Sequence, residues 1–145
     1  MSGKAFLDTN LFVYMQSGSD IEKKEISYMA LESFDCIVST QVLSEFCNVA
    51  LKKLMMNSGQ IQQVLHAINS TCDVSVITLT TIKMALQLKK RHGFSYYDSL
   101  IVASALENDC VYLFSEDMSD GDIIENKLEI VNIFARPSYV SKDVK

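Results

Sequence analysis

Apolar positions along this chain fall into two rhythms, short solid runs and longer stripes at helical spacing, and the two alternate. Ala5-Phe6-Leu7 followed by Asp8-Thr9-Asn10 has the pattern of a buried strand ending in a polar turn. Ile21 to Ser33 reads as a helix and Cys36-Ile37-Val38 as a second strand. Ser39 or Thr40 is placed to cap the next helix, whose stripe of Val42, Leu43, Phe46, Val49 and Ala50 runs on toward a stop at Asn57-Ser58-Gly59. A helix over Gln60 to Asn69, a strand over Val74 to Leu79 and a helix over Ile82 to His92, closed by Gly93, follow. The helix from Ser95 to Leu106 is apolar nearly all round and therefore expected to be buried. Cys110 to Ser115 is a strand ending at Glu116-Asp117, and Glu129 to Phe134 is a last strand before the only proline, Pro137. This alternation predicts an α/β fold, a mainly parallel central sheet flanked by helices with right-handed crossovers. One domain is expected over residues 1–137, with a mobile tail over 138–145.

Composition narrows the class. A chain of 145 residues supports one core that buries roughly 70% of the unfolded surface, and its 48% hydrophobic and 21% charged residues suit a globular protein. No apolar run approaches the ~20 residues that span a bilayer, and Met1-Ser2-Gly3-Lys4 leads into a strand pattern instead of a signal peptide, so a cytoplasmic protein without a membrane partner is expected. Cys36, Cys47, Cys72 and Cys110 are widely spaced in apolar contexts, the pattern of reduced thiols. The formal net charge of −5 excludes nucleic-acid binding by bulk attraction and leaves only a local patch for phosphate contact.

The acids sort by edge. Ligands of an open parallel sheet collect beyond the carboxyl ends of its strands. Asp8, Glu116 and Asp117 directly follow strands and belong there, whereas Asp35, Asp73 and Asp109 precede strands and belong to the opposite edge. Glu45 lies early in a helix that leaves a strand, beside Val42, Phe46 and Val49 on the border of the buried face. It either reaches a partner at that border or snorkels to water. Asp98 is a carboxylate in an otherwise apolar helix, which is costly unless paired or coordinated. Ser95-Tyr96-Tyr97-Asp98 also fits a capping box, and both roles are compatible. Two carboxylates ~4 Å apart repel by about 4 kcal/mol at an effective dielectric of 20, against a domain stability of about 5–15 kcal/mol, so a gathered set implies a counter-ion. Oxygen ligands without histidine or cysteine favour Mg²⁺ or Mn²⁺.

Four segments, in order, resemble the PIN domain family, in particular its VapC-type toxins: Phe6-Leu7-Asp8-Thr9-Asn10, Ser39-Thr40-Gln41-Val42-Leu43-Ser44-Glu45-Phe46, Phe94-Ser95-Tyr96-Tyr97-Asp98-Ser99-Leu100-Ile101 and Leu113-Phe114-Ser115-Glu116-Asp117-Met118. Tyr97 stands where the third motif often carries tryptophan. The resemblance implies an endoribonuclease in which Asp8, Glu45, Asp98 and Asp117 hold one or two Mg²⁺ or Mn²⁺ ions. It also implies supporting roles for Thr9 or Ser115 through a hydroxyl and for Asn10 in orienting the first carboxylate. Glu116, Asp120 and Asp122 read as a solvated acidic loop, with Asp120 within reach of a cation through water. Water would attack an RNA phosphodiester in line, leaving 5′-phosphate and 3′-hydroxyl ends.

Lys52-Lys53 and Lys89-Lys90-Arg91-His92 offer local positive charge for RNA, and Tyr96 or Tyr97 an aromatic face for an unpaired base. Solvated helix surface and core packing are the plainer uses of the same residues. The toxin resemblance further implies a cognate antitoxin and a homodimer. Two other readings stand beside the nuclease: an inactive PIN-like module that binds RNA or protein, and a phosphotransfer enzyme. The latter expects a second acid two residues after the first, where this chain has Asn10.

Overall fold

The computed structural model describes residues 3–140. Its strands are β1 (Lys4–Leu7), β2 (Asp35–Ser39), β3 (Asp73–Ser75), β4 (Tyr112–Phe114), β5 (Ile123–Ile124) and β6 (Leu128–Val131). Its helices are α1 (Thr9–Gln16), α2 (Ile21–Ser33), α3 (Thr40–Lys52), α4 (Ser58–Thr71), α5 (Leu79–His92) and α6 (Tyr96–Glu107). The strands form one sheet in the order β3-β2-β1-β4-β6-β5, parallel throughout except for the β5–β6 hairpin. This is the expected α/β architecture. β1, β2 and β4 are buried over most of their length, as a parallel strand covered by helices on both faces must be.

The topology fixes where a ligand can sit. From β1 the chain winds outward through β2 and β3, then returns to lay β4 on the other side of β1. The order therefore reverses between β1 and β4, and an open parallel sheet forms its crevice beyond the carboxyl ends at such a point. In register, Leu7 lies opposite Phe114, and the Asp8 amide donates to the Phe114 carbonyl at 3.1 Å. The residues that follow the two strands, Asp8 and Ser115, leave the sheet side by side.

Several boundaries differ from the expected ones. The turn after β1 is the start of α1, with Asp8 as its N-cap; Leu11, Phe12 and Met15 bury that helix. α3 closes at Lys52, where the Lys53 amide donates to the Val49 carbonyl and Met56 folds back onto Ala50 through Met55 at φ +55°. The Asn57-Ser58-Gly59 segment, expected as a stop, is a start. Asn57 and Gln60 close a reciprocal capping box at 2.9 Å in each direction and launch α4. Thr78 and Thr81 do the same for α5, which cuts the expected strand over Val74 to Leu79 down to β3.

The expected mobile tail begins differently as well. Pro137–Tyr139 form a 3₁₀ turn, the Tyr139 hydroxyl donates to Glu129 at 3.0 Å, and Val140 is buried. The rest of that tail, 141–145, lies outside the described residues. Cys36, Cys72 and Cys110 are buried free thiols and Cys47 is half-buried. Among the described residues no helix is long and apolar enough to cross a membrane.

Candidate functional site

Asp8, Thr9, Asn10, Glu45, Asn48, Val49, Asp98, Ile101 and Asp117 line one cleft of about 330 Å³ at the switch point. Four separate parts of the chain thus bring one acid each: the end of β1, the second turn of α3, the first turn of α6 and the loop after β4. Each arrival has a local cause. Asp8 is placed by the β1–β4 register. Ser39, the last residue of β2, caps α3 by accepting from the Val42 amide at 3.3 Å, and Glu45 follows as the helix turns. Gly93, in the left-handed region at φ +78°, ends α5, and two residues later Ser95 caps α6 by accepting from the Asp98 amide at 3.2 Å.

Neutral donors hold the carboxylates. The Thr9 amide and the Ser115 hydroxyl donate to the two oxygens of Asp8 at 2.7 and 2.8 Å. The Thr9 hydroxyl and the Gln41 amide donate to the two oxygens of Glu45 at 2.7 and 3.1 Å. Asn10 donates to Asp117 at 2.9 Å, so it orients the fourth carboxylate and not the first. Thr9 and Ser115 both spend their hydroxyls on acids.

Among the described residues no lysine or arginine lines the cleft. Burial raises Asp8 from the ordinary 3.8 to about 6; the Thr9 amide and Ser115 hydroxyl oppose the rise, while the negative charge of Glu45 and Asp98 adds to it. Asp98 is also raised, first by burial and further by Asp117 and Glu45, against the Ser95 hydroxyl. The cleft therefore concentrates negative charge that no cationic side chain among the described residues neutralises. Among the described residues no three acidic, thiol or imidazole side chains stand close enough to form a ready-made metal cluster. The donor set is nevertheless of the kind that fits a hard divalent cation: carboxylate oxygens only, from rigid elements, backed by hydrogen bonds that leave other lone pairs to face the cleft.

The remaining candidates are engaged elsewhere. Burial pushes Glu116 up, but hydrogen bonds from Lys23 and from the Tyr14 hydroxyl, the latter at 2.6 Å, outweigh it and hold the carboxyl below its ordinary range. Asp120 accepts from the Asn132 amide at 2.8 Å and from Arg136 at 2.6 Å, which leaves its charge compensated. Asp122 is exposed. Arg91 and His92 both bond Glu125 on the β5–β6 turn, at 3.0 and 2.8 Å, while Lys52, Lys53, Lys89 and Lys90 are exposed.

Sequence reasoning passed over Gln41 and Asn48. Their signal was available: Gln41, Ser44, Glu45 and Asn48 fall at i, i+3, i+4 and i+7 on one face of α3. Gln41 donates both to Glu45 and to the Tyr97 carbonyl, each at 3.1 Å, and so ties α3 to the first turn of α6.

A parallel α/β/α fold with an acid cleft at its switch point defines a recognised class of domain. Residues 5–119 match the PIN domain family, and the chain belongs to it. No curated protein matches the chain by sequence. Solved structures share the fold at low identity. One is a toxin–antitoxin complex from Klebsiella pneumoniae, with 22% identity and a TM-score of 0.68, covering 88% of this chain and 96% of that one. Another is Mycobacterium tuberculosis VapC20, a toxin that cleaves the sarcin–ricin loop, with 16% identity and a TM-score of 0.63 over 78% and 91%. A third is VapBC2 from Rickettsia felis bound to promoter DNA, with 18% identity and a TM-score of 0.58 over 89% and 99%.

Proposed function

We propose that this chain is a divalent-metal-dependent endoribonuclease acting in the cytoplasm as the toxin of a toxin–antitoxin pair, with Asp8, Glu45, Asp98 and Asp117 as its metal ligands and catalytic acids. The observation that carries the reading is the cleft itself. Four carboxylates reach it from four parts of the fold, two of them with raised pKa, and no cationic side chain among the described residues joins them. Such a site is stable only with its charge met from outside, by protons or by a cation. Fold-sharing structures that are toxins or toxin–antitoxin complexes support the biological role and a cognate antitoxin as partner; assembly as a homodimer is proposed with them.

Mg²⁺ or Mn²⁺, when bound, would supply an acidified water and neutralise charge developing on the phosphate oxygens. The chain's residues set the geometry for that chemistry. Ser115 and the Thr9 amide fix the plane of Asp8, and Thr9 and Gln41 fix Glu45. Asn10 holds Asp117, and the capped first turn of α6 aims Asp98 at the same space. Exposed Lys52, Lys53, Lys89 and Lys90 are available to RNA phosphates outside the cleft, with Arg91 already shared with Glu125.

The test is cleavage of structured RNAs by the purified chain in Mn²⁺, Mg²⁺ and EDTA, alongside Asp8→Asn and Asp98→Asn. Cutting should require the ion, vanish in both variants, and leave 5′-phosphate and 3′-hydroxyl ends. Variants that cut as well as the parent would remove the site assignment, and 2′,3′-cyclic phosphate ends would replace water attack with attack by the neighbouring 2′-hydroxyl. Cation binding without turnover would favour an inactive binding module.

A further inference from the structure

Beside the acid cleft, and sharing Glu45 and Asn48 with it, lies a second recess of about 320 Å³ walled by Gln41, Ser44, Glu45, Asn48 and Tyr97. We propose that this recess receives one unpaired base of the RNA strand whose phosphate lies at the acids, with Tyr97 as the stacking platform and the α3 polar groups facing the base edge. The inference rests on the nuclease reading and deepens it by naming how the substrate is gripped.

The lining chooses the ligand. Apart from Glu45 the walls are neutral, with no lysine or arginine among the described residues, so a phosphate has no counter-charge from them. A base, planar and uncharged with donors and acceptors on its rim, does match. Tyr97 is 63% exposed, which is unusual for a ring that the core could use, and it forms an edge-to-face pair with half-buried Tyr96 at 5.3 Å and 69°. That pair restricts the ring's position, and the exposure of Tyr97 leaves ring surface for base–aromatic stacking.

The polar wall is preorganised and partly unspent. Gln41 uses both amide protons within the protein, one on Glu45 and one on the Tyr97 carbonyl, and so fixes the distance between α3 and the platform. This orientation is held even though the Gln41 amide oxygen is buried without a hydrogen-bond partner among the described residues. Ser44 and Asn48, by contrast, have hydrogen-bonding groups with no protein partner among the described residues, and both line the recess. Single strands are read by stacking on an aromatic face together with hydrogen bonds to exposed base edges.

The experiment compares the parent, Tyr97→Ala and Tyr97→Phe. Each is titrated in Ca²⁺ with a short single-stranded oligoribonucleotide and with the same backbone made abasic, and cleavage is followed separately in Mn²⁺. Tyr97→Ala should raise Kd for the intact strand by roughly ten-fold, Tyr97→Phe should stay within about two-fold, and the abasic strand should bind parent and Tyr97→Ala alike. Because Tyr97 is exposed, its replacement leaves the core intact. An unchanged Kd in Tyr97→Ala, or an equal loss on both strands, overturns the base site. If the parent cleaves in Mn²⁺ while Tyr97→Ala binds and cleaves like it, only the base site falls. If the parent fails to cleave but shows the base-dependent loss, only the nuclease reading falls, and a parent that binds neither strand overturns both.

Discussion

Asp8 shows how burial sets folding against the ionisation of a single carboxyl. Its folded pKa of about 6 lies above the ordinary 3.8, chiefly because it is buried. Between those pH values the folded chain keeps a proton that the unfolded chain has released. The contribution of Asp8 to stability is therefore greatest below about pH 4 and is lost as pH rises through 6, by roughly 3 kcal/mol in all. Asp8→Asn, which cannot ionise, should lack this slope. Urea unfolding in EDTA at pH 4, 5, 6 and 7 gives the difference between parent and variant, in which titrating groups that do not interact with Asp8 cancel. The parent should lose ground to Asp8→Asn with rising pH, whereas a flat difference would mean that the Asp8 carboxyl is well solvated. Glu116, eight residues beyond Asn108 and next to Asp117 in sequence, has no such conflict, since Lys23 and Tyr14 already satisfy it. Neighbouring acids in one loop are thus separated by their partners, a distinction that sequence order alone did not make.

At the scale of elements, the short connection from α5 to α6 governs the placement of Asp98. Gly93 adopts φ +78° to close α5, and an added Cβ there would meet nothing within 4 Å. Gly93→Ala should therefore cost about 1 kcal/mol through backbone conformation alone, and Gly93→Asn distinctly less, as chemical denaturation would measure. Equal stability of all three chains would show that the αL turn is not required. The gross order of strands and helices was legible because parallel strands buried on both faces are solid apolar runs and α6 is apolar on every side. α1 was not, because Leu11-Phe12-Val13-Tyr14-Met15 is a solid run too short for its period to separate helix from strand. β5 has two residues and no pattern to read. That acids gather at this edge was legible from their places after strands and near helix starts, while the choice of Asp117 over Glu116 came from the motif resemblance. The acids' immediate partners were not legible, because Thr9 to Glu45 and Ser115 to Asp8 are contacts across 36 and 107 residues that only folding creates.

Under the proposed nuclease function, the whole molecule has to bring a polyanion to an anionic cleft while carrying a net charge of −5. Bulk attraction opposes this, so the favourable contacts have to be local and few. α3 offers one route: seven residues and about two turns after Glu45, Lys52 falls on nearly the same face, roughly 10 Å further along the helix axis. A strand lying along α3 would thus meet an acid-bound cation at one phosphate and an ammonium at another. Arg91 is differently placed, since its guanidinium already bonds Glu125. For single strands, the dependence of log K on log salt falls by about 0.7 for each phosphate contact removed. Replacing Lys52 and Lys53 together by Gln should therefore weaken RNA binding and flatten that slope by roughly 1.4, about 0.7 for each lysine, while Arg91→Gln should leave it close to the parent's. Titrations between 50 and 200 mM salt, about the range over which such contacts are exchanged for counter-ions, measure both. A slope untouched by Lys52 and Lys53 but reduced by Arg91→Gln would direct the strand toward the β5–β6 side of the fold and away from α3.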